Sequence, residues 1–87
     1  MVEEILNQRG NRYGDFSDNS KISQTLKDTL HTKNIALADP YIKEAIDMIC
    51  HKLARIVCGD VTYIDSWVDI AGYATLVTDK LKEVNNE

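Results

Sequence analysis

The stretch Asp65-Ser-Trp-Val-Asp-Ile-Ala-Gly-Tyr73 combines side chains that could bind a ligand or a metal ion. Asp65 and Asp69 lie four residues apart, a spacing that puts both carboxylates on one face of a helix. Such a pair can hold Mg²⁺ or accept hydrogen bonds from a base or a ribose. Tyr73 follows one turn later and offers a ring on which a base can stack.

Basic side chains upstream supply the opposite charge. Lys52 and Arg55 lie three residues apart in the segment His51-Lys-Leu-Ala-Arg55. Arginine suits bidentate contact with phosphate, and lysine supplies a point charge. The same two residues can instead form structural salt bridges with Asp65 and Asp69, across neighbouring helices or across a dimer. Both interpretations stay open at this point.

A second group of basic and aromatic side chains lies near the N-terminus. Residues 10–17 contain two glycines and several turn-forming residues, so we expect a loop there. Arg12, Tyr13 and Phe16 are large side chains for a connection and can form the wall of a pocket. Alternatively, the two aromatic residues close the end of a helical bundle.

Other candidate groupings are less complete. Glu44, Asp47 and His51 follow i, i+3, i+7 spacing and either share a divalent ion or form a solvated face. Cys50 and Cys58 would lie about 12 Å apart along one helix, too far for a disulfide, so we expect two free thiols. The sequence has no Gly-rich phosphate loop and no persuasive nucleophile–His–acid set, so we assign no catalytic residue.

The spacing of apolar residues predicts four helices, over about residues 2–9, 18–31, 40–58 and 63–84. The expected stops are Gly10 and Gly59, and the expected caps are Ser17 or Asp18, Asp39 and Thr62.

Each of the three longer helices carries an apolar stripe that we expect to face the core. The stripes are Ile22, Leu26 and Leu30; Ile42, Ala45 or Ile46, Ile49, Leu53 and Ile56; and Trp67, Ile70, Ala74, Val77, Leu81 and Val84. Asp65, Asp69 and Gly72 project to the side opposite the last stripe. This pattern therefore predicts that α-helical residues on that side form a second contact surface, for a ligand or for another subunit.

These elements predict an all-α fold, a small helical bundle built on a long antiparallel helical hairpin. The 87 residues form one domain, and a core this small favours completion by oligomerisation. The net charge of -4 argues against broad binding to nucleic acid or to anionic membranes. No signal peptide or membrane-spanning run is visible, so we expect a cytoplasmic protein.

Three segments together resemble a family of small proteins of unknown function, DUF6378, that occurs in tailed bacteriophages and prophages. They are Arg12-Tyr-Gly-Asp-Phe16, His51-Lys-Leu-Ala-Arg55 and Asp65-x-x-x-Asp-Ile-Ala-Gly-Tyr73. The resemblance covers roughly residues 5–81 and implies a phage protein that acts in the host cytoplasm. The family is similar in turn to the all-α nucleoside triphosphate pyrophosphohydrolases, of the MazG-like and dimeric dUTPase-like types.

Those enzymes hold Mg²⁺ with a Glu-rich motif on one helix and a Glu-x-x-Asp motif on the next. Asp69 matches the final Asp, but Ser66 stands where the Glu is expected, and Asp65 could substitute from one residue earlier. Lys52 and Arg55 occupy the neighbourhood of the first motif. A basic pair with two aspartates suits the binding of an anion better than the activation of water by two metals.

Three functions are consistent with these residues. The first is nucleotide binding without catalysis, in which a phage protein sequesters a nucleotide second messenger of host defence and needs no cofactor. The second is a Mg²⁺-dependent (d)NTP pyrophosphohydrolase, and the third is a protein–protein inhibitor of a host defence complex. For the first, the expected partners are a nucleotide-like small molecule and further copies of the chain, without nucleic acid or membrane. The expected ligand-binding residues are Arg12, Tyr13, Lys52, Arg55, Asp65, Asp69 and Tyr73.

Overall fold

A computed structural model describes residues 2–85 of the chain. It contains four α-helices, with a short 3-10 helix, Asn34–Leu37, between the second and the third. The α-helices are α1 (Val2–Tyr13), α2 (Phe16–Leu30), α3 (Pro40–Cys58) and α4 (Ile64–Asn85). These residues include no strand, which confirms the all-α prediction. Within residues 2–85, none of the helices combines the length and apolar character needed to cross a membrane.

The connection between α1 and α2 is much shorter than expected. α1 continues through Gly10 to Tyr13, and α2 begins at Phe16, so the predicted loop over residues 10–17 was wrong. A glycine inside a helix costs only about 1 kcal/mol, and the contacts of α1 with its neighbours can offset that cost. The chain reverses instead at Gly14, whose φ of +80° lies in the left-handed region that favours glycine.

Two of the expected helix caps are also replaced. Asp15, and not Ser17 or Asp18, is the N-cap of α2, and its Oδ2 accepts a hydrogen bond from the Asp18 N–H at 3.3 Å. Thr62 does not cap α4, because its N–H and its hydroxyl both donate to Oδ1 of Asp60, at 2.9 and 2.7 Å. These short-range bonds form a turn that leads into α4.

The three longer helices form a single layer with α3 in the middle. α3 packs against α2 and α4, whereas α2 and α4 have little or no contact with each other. Asp47 of α3 contacts His31 at the end of α2, and Lys52 of α3 contacts Asp69 of α4. On a helix these two positions of α3 point roughly 140° apart, so the neighbours lie on nearly opposite sides. α1 packs on α3 and α2.

The contact between α2 and α3 is made by small side chains. The buried residues along it are Asn19 and Ser23 of α2 and Cys50 and Ala54 of α3. The prediction that Ile22 and Leu30 lie in the core was wrong, since Ile22 is 37% exposed and Leu30 is more exposed still. Small residues let two helix backbones approach closely, which leaves the larger branched side chains at the edge of the contact.

α4 presents a different side to α3 from the one expected. Ser66 is buried and Tyr73 is half-buried, whereas Trp67 is 49% exposed and Ala74 is exposed. The side that packs on α3 is therefore rotated by roughly 50° from the centre of the predicted stripe. The reason is that one helix alone covers α4, so only one flank of its apolar stripe is buried.

Candidate functional site

Two corners of the chain meet where the candidate site forms. A Cβ added to Gly14 would lie closer than 3.0 Å to the carbonyl of Cys58, and one added to Gly59 would lie as close to the carbonyl of Arg12. The N–H of Asp60 donates to the same Arg12 carbonyl at 2.8 Å. Because glycine lacks a Cβ, the backbones can approach this closely. The approach holds the end of α1 against the connection between α3 and α4.

Four side chains form a continuous stack over these corners. The Arg12 guanidinium carbon lies 4.5 Å from the centroid of the Tyr63 ring. The Tyr63 and Tyr13 centroids are 5.9 Å apart in an edge-to-face arrangement, and the Arg55 guanidinium carbon lies 4.4 Å from the Tyr13 centroid. Cations over ring faces and edge-to-face rings are both electrostatically favourable. The structure thus brings together Arg12, Tyr13 and Arg55, three of the seven expected site residues.

Tyr63 connects Asp65 to this stack. Its hydroxyl donates to Oδ2 of Asp65 at 2.8 Å, and this hydrogen bond is the main cause of a raised pKa for the Tyr63 hydroxyl. Tyr63 was not among the expected site residues. The available signal was its place two residues before Asp65, in a short turn between two long helices.

Lys52 and Asp69 form an ion pair beside the stack. The Lys52 Nζ lies 3.0 Å from Oδ2 of Asp69, and Asp69 is about half exposed. The pair is within one chain, which confirms the structural salt-bridge interpretation for these two residues. An exposed pair of this kind contributes about 0.2–1 kcal/mol to stability. Arg55 lies one turn further along α3 and stacks on Tyr13 instead of pairing with an aspartate.

Tyr73 belongs to a different part of the surface. It lines a pocket of about 280 Å³ between α3 and α4, at a distance from the Arg–Tyr stack along the helices. The other lining residues are Tyr41, Glu44, Ala45, Leu76, Val77 and Lys80. The structure therefore places Tyr73 in a different pocket from Tyr13 and Arg55.

A larger pocket, of about 390 Å³, opens beside Arg55 between α1 and the start of α2. We call it the arginine pocket; its lining residues are Leu6, Arg9, Gly10, Tyr13, Gly14, Asp15, Phe16, Asn19 and Arg55. Phe16 is 79% exposed, so it does not close the end of a bundle as one interpretation held. The segment does form a pocket wall, as the other interpretation predicted. Arg9 and Asn19 were missed, although Arg9 precedes Tyr13 by one helical turn.

The possible metal ligands on α3 do not form a metal site. His31 Nε2 lies 2.8 Å from Oδ1 of Asp47, which uses the carboxylate that the Glu44–Asp47–His51 hypothesis needed. Within residues 2–85, no three His, Cys, Asp or Glu side chains come together in a way that could hold a metal ion. Cys50 and Cys58 are free thiols, and burial raises the pKa of Cys50.

Folding stability should depend on the protonation of His51. Burial, with the positive charges of Arg55, Lys27 and Lys52, lowers the pKa of His51 below its ordinary value of 6.5. The unfolded chain therefore binds a proton at His51 more readily than the folded chain does. The contribution of neutral His51 to the free energy of unfolding is complete above pH 6.5 and is lost as pH falls below that value. We expect the thermal midpoint measured by circular dichroism to fall between pH 7 and pH 5 more steeply for the wild type than for His51→Gln. Equal slopes would contradict this linkage.

Comparison with known proteins identifies the family of the chain and nothing narrower. No significant match was found among curated proteins or among solved structures. The profile of one family, described as a domain of unknown function (DUF6378), matches residues 1–81. Because this match covers almost the whole sequence, the chain belongs to the DUF6378 family.

Proposed function

We propose that this protein binds a nucleotide-like anion in the arginine pocket. The observation that carries the proposal is Arg55, which lines the pocket with its guanidinium carbon 4.4 Å from the centroid of the Tyr13 ring. Stacking on a ring fixes the plane of a guanidinium while leaving its N–H groups free to donate. Within the described residues, Arg55 has no carboxylate within 4.0 Å. An incoming phosphate can therefore take those donors.

The remaining lining residues suit the other parts of a nucleotide. Arg9 supplies a second cation, and the exposed Phe16 ring offers a face for a base. The side-chain amide of Asn19 donates to the Tyr13 carbonyl at 3.3 Å, which leaves its oxygen free to accept a hydrogen bond. A volume of about 390 Å³ falls within the ~300–1,000 Å³ typical of small-molecule pockets.

Binding without hydrolysis is the form of this function that we propose. Asp69 is paired with Lys52, and Asp65 accepts the Tyr63 hydroxyl, so both carboxylates already have partners. A lysine at 3.0 Å from Asp69 competes directly with a divalent cation for that oxygen. We propose that the chain is encoded by a phage and sequesters a nucleotide second messenger of host defence in the host cytoplasm.

The helical hairpin beside the pocket is completed, in our proposal, by at least one more copy of the chain. α3 and α4 pack together and are joined only by residues 59–63, which supports an antiparallel hairpin. We propose that this hairpin is completed by oligomerisation. The arginine pocket lies on the side of the layer that carries α1. Association through the other side would leave the pocket open to a ligand.

Two measurements on the purified protein test the binding proposal. Mass spectrometry of a denatured sample should release a nucleotide that copurifies with the chain. Calorimetry against cyclic dinucleotides, cyclic ADP-ribose-type signals and NTPs should give saturable binding by at least one of them. No heat from any member of the panel and no copurifying nucleotide would overturn the proposal. Release of pyrophosphate from an NTP with Mg²⁺ or Mn²⁺ would replace it by the hydrolase alternative.

A further inference from the structure

Apolar residues from three helices lie on one broad side of the helical layer. Arg55, which contacts Tyr13 of α1, projects roughly 160° from Leu53 on α3, so Leu53 points away from the α1 side. We call the side around Leu53 the isoleucine face. From α2 it contains Ile22 and Leu26; from α3, Ile42, Ile46, Ile49, Leu53 and Val57; and from α4, Trp67, Ile70, Ala74 and Leu81.

The residues of the isoleucine face remain in contact with solvent in one chain. Val57 is 62% exposed, and Trp67, Leu81 and Ile22 are exposed as well. The isoleucines of α3 on this face and Leu53 are only half-buried. All the residues named above for the face are uncharged. Several exposed apolar side chains on one side of a small protein mark an interaction site.

The hydrophobic core of one chain is too small to leave this face uncovered. Among residues 2–85 the buried hydrophobic residues are Ile35, Ala45, Cys50, Ala54 and Ile56. Three of these five residues, Ala45, Cys50 and Ala54, have small side chains that bury little apolar area. Stable domains are built from at least two packed layers around a shared core, and one chain supplies only one full layer. The second layer must come from outside the chain.

We infer that the second layer is another copy of this chain, bound through the same isoleucine face about a two-fold axis. The second layer is needed for the chain to fold, so the molecule that supplies it must be present wherever the chain is made. A second copy of the chain always meets that condition. An uncharged face also meets its own copy without like-charge repulsion, although each chain carries a net charge of -4.

The side of the molecule that carries the face is large enough to hold a standard dimer interface. The two longer extents of the molecule, 48 and 26 Å, bound this side at about 1,200 Å², compared with the ~800 Å² per partner of a standard interface. A two-fold axis near the centre of the face would pack α3 of one chain against α3 of the other. The arginine pocket lies on the opposite side, so dimerisation and ligand binding are independent and can be tested separately.

Light scattering on the purified protein tests the dimer. We expect the wild type to have about twice the 9.8 kDa mass of one chain. Ile46→Glu and Leu53→Glu each place a charge inside the face and should abolish the dimer. The matched control is Val68→Glu, which adds the same charge at an exposed apolar position on the outer side of α4 and should leave the mass unchanged.

A second measurement tests the dimer even if the Ile46→Glu and Leu53→Glu variants fail to fold. The thermal midpoint of a dimer that unfolds to separate chains rises with protein concentration. We expect that rise for the wild type and for Val68→Glu over a 100-fold range of concentration. A wild-type mass of 9.8 kDa, any mass other than that of two chains, or a midpoint independent of concentration would overturn the inference. Loss of the dimer in Val68→Glu alone would place the interface elsewhere and also overturn it.

Discussion

Gly14→Ala is expected to lower the free energy of unfolding by about 2–4 kcal/mol. Two causes add at this position. The φ of +80° is strained for alanine, and the new Cβ would lie within 3.0 Å of the Cys58 carbonyl. The Cys58 atoms that the new Cβ would meet are the backbone carbonyl and the Cβ, and neither is the end of a flexible side chain. The backbone must therefore move. Thermal unfolding at fixed protein concentration measures the loss, as a fall in the midpoint of roughly 10–25 °C.

The chain contains two matched controls for this substitution. Gly10 and Gly72 lie inside helices, and an added Cβ would meet nothing within 4 Å in either case. Gly10→Ala and Gly72→Ala should therefore each stabilise the protein, by about 0.5–1 kcal/mol, through improved helix propensity. If Gly14→Ala behaved like these two variants, the close approach of the two corners would be wrong. Loss of stability in Gly72→Ala would instead show that another helix or a ligand approaches α4 there.

Arg55→Met should weaken binding of the nucleotide identified by calorimetry by roughly 10–100-fold. The guanidinium is the group that we expect to donate to phosphate, and a charge-assisted hydrogen bond contributes about 1.5–3 kcal/mol. Methionine keeps an apolar side chain of similar length over the Tyr13 ring. Arg55→Lys retains the charge but loses the planar pair of donors, so its affinity should fall between those of the wild type and Arg55→Met.

The control for this prediction is Lys82→Met, which removes the same charge at an exposed position in the last turn of α4. It should bind the nucleotide as the wild type does. The stack of Arg55 on Tyr13 contributes only about 0.5–1 kcal/mol to stability, so Arg55→Met should remain folded by circular dichroism. Equal affinity in Arg55→Met and the wild type would show that the protein binds the nucleotide outside the arginine pocket.

Part of the candidate site could be predicted from residue types alone. Arg12, Tyr13 and Arg55 were selected as basic and aromatic residues, and the structure places them in one stack. Tyr63 was missed because its stacking partners, Arg12 and Tyr13, come from α1, far from it in sequence. Tyr73 was included because it shares a helix with Asp69, but the residues that line the arginine pocket come from α1, α2, the turn between them and α3, whereas Tyr73 lines the pocket between α3 and α4.

The sequence by itself determined the helical character of the chain, because apolar periodicity acts over a few residues. Only the tertiary structure decided which side of each helix is buried. Ser66 is buried and Trp67 is half exposed because α4 has a single neighbour, and no local pattern counts neighbours. The same holds for Gly14 and Gly59, whose role depends on backbone that lies more than 40 residues away along the chain.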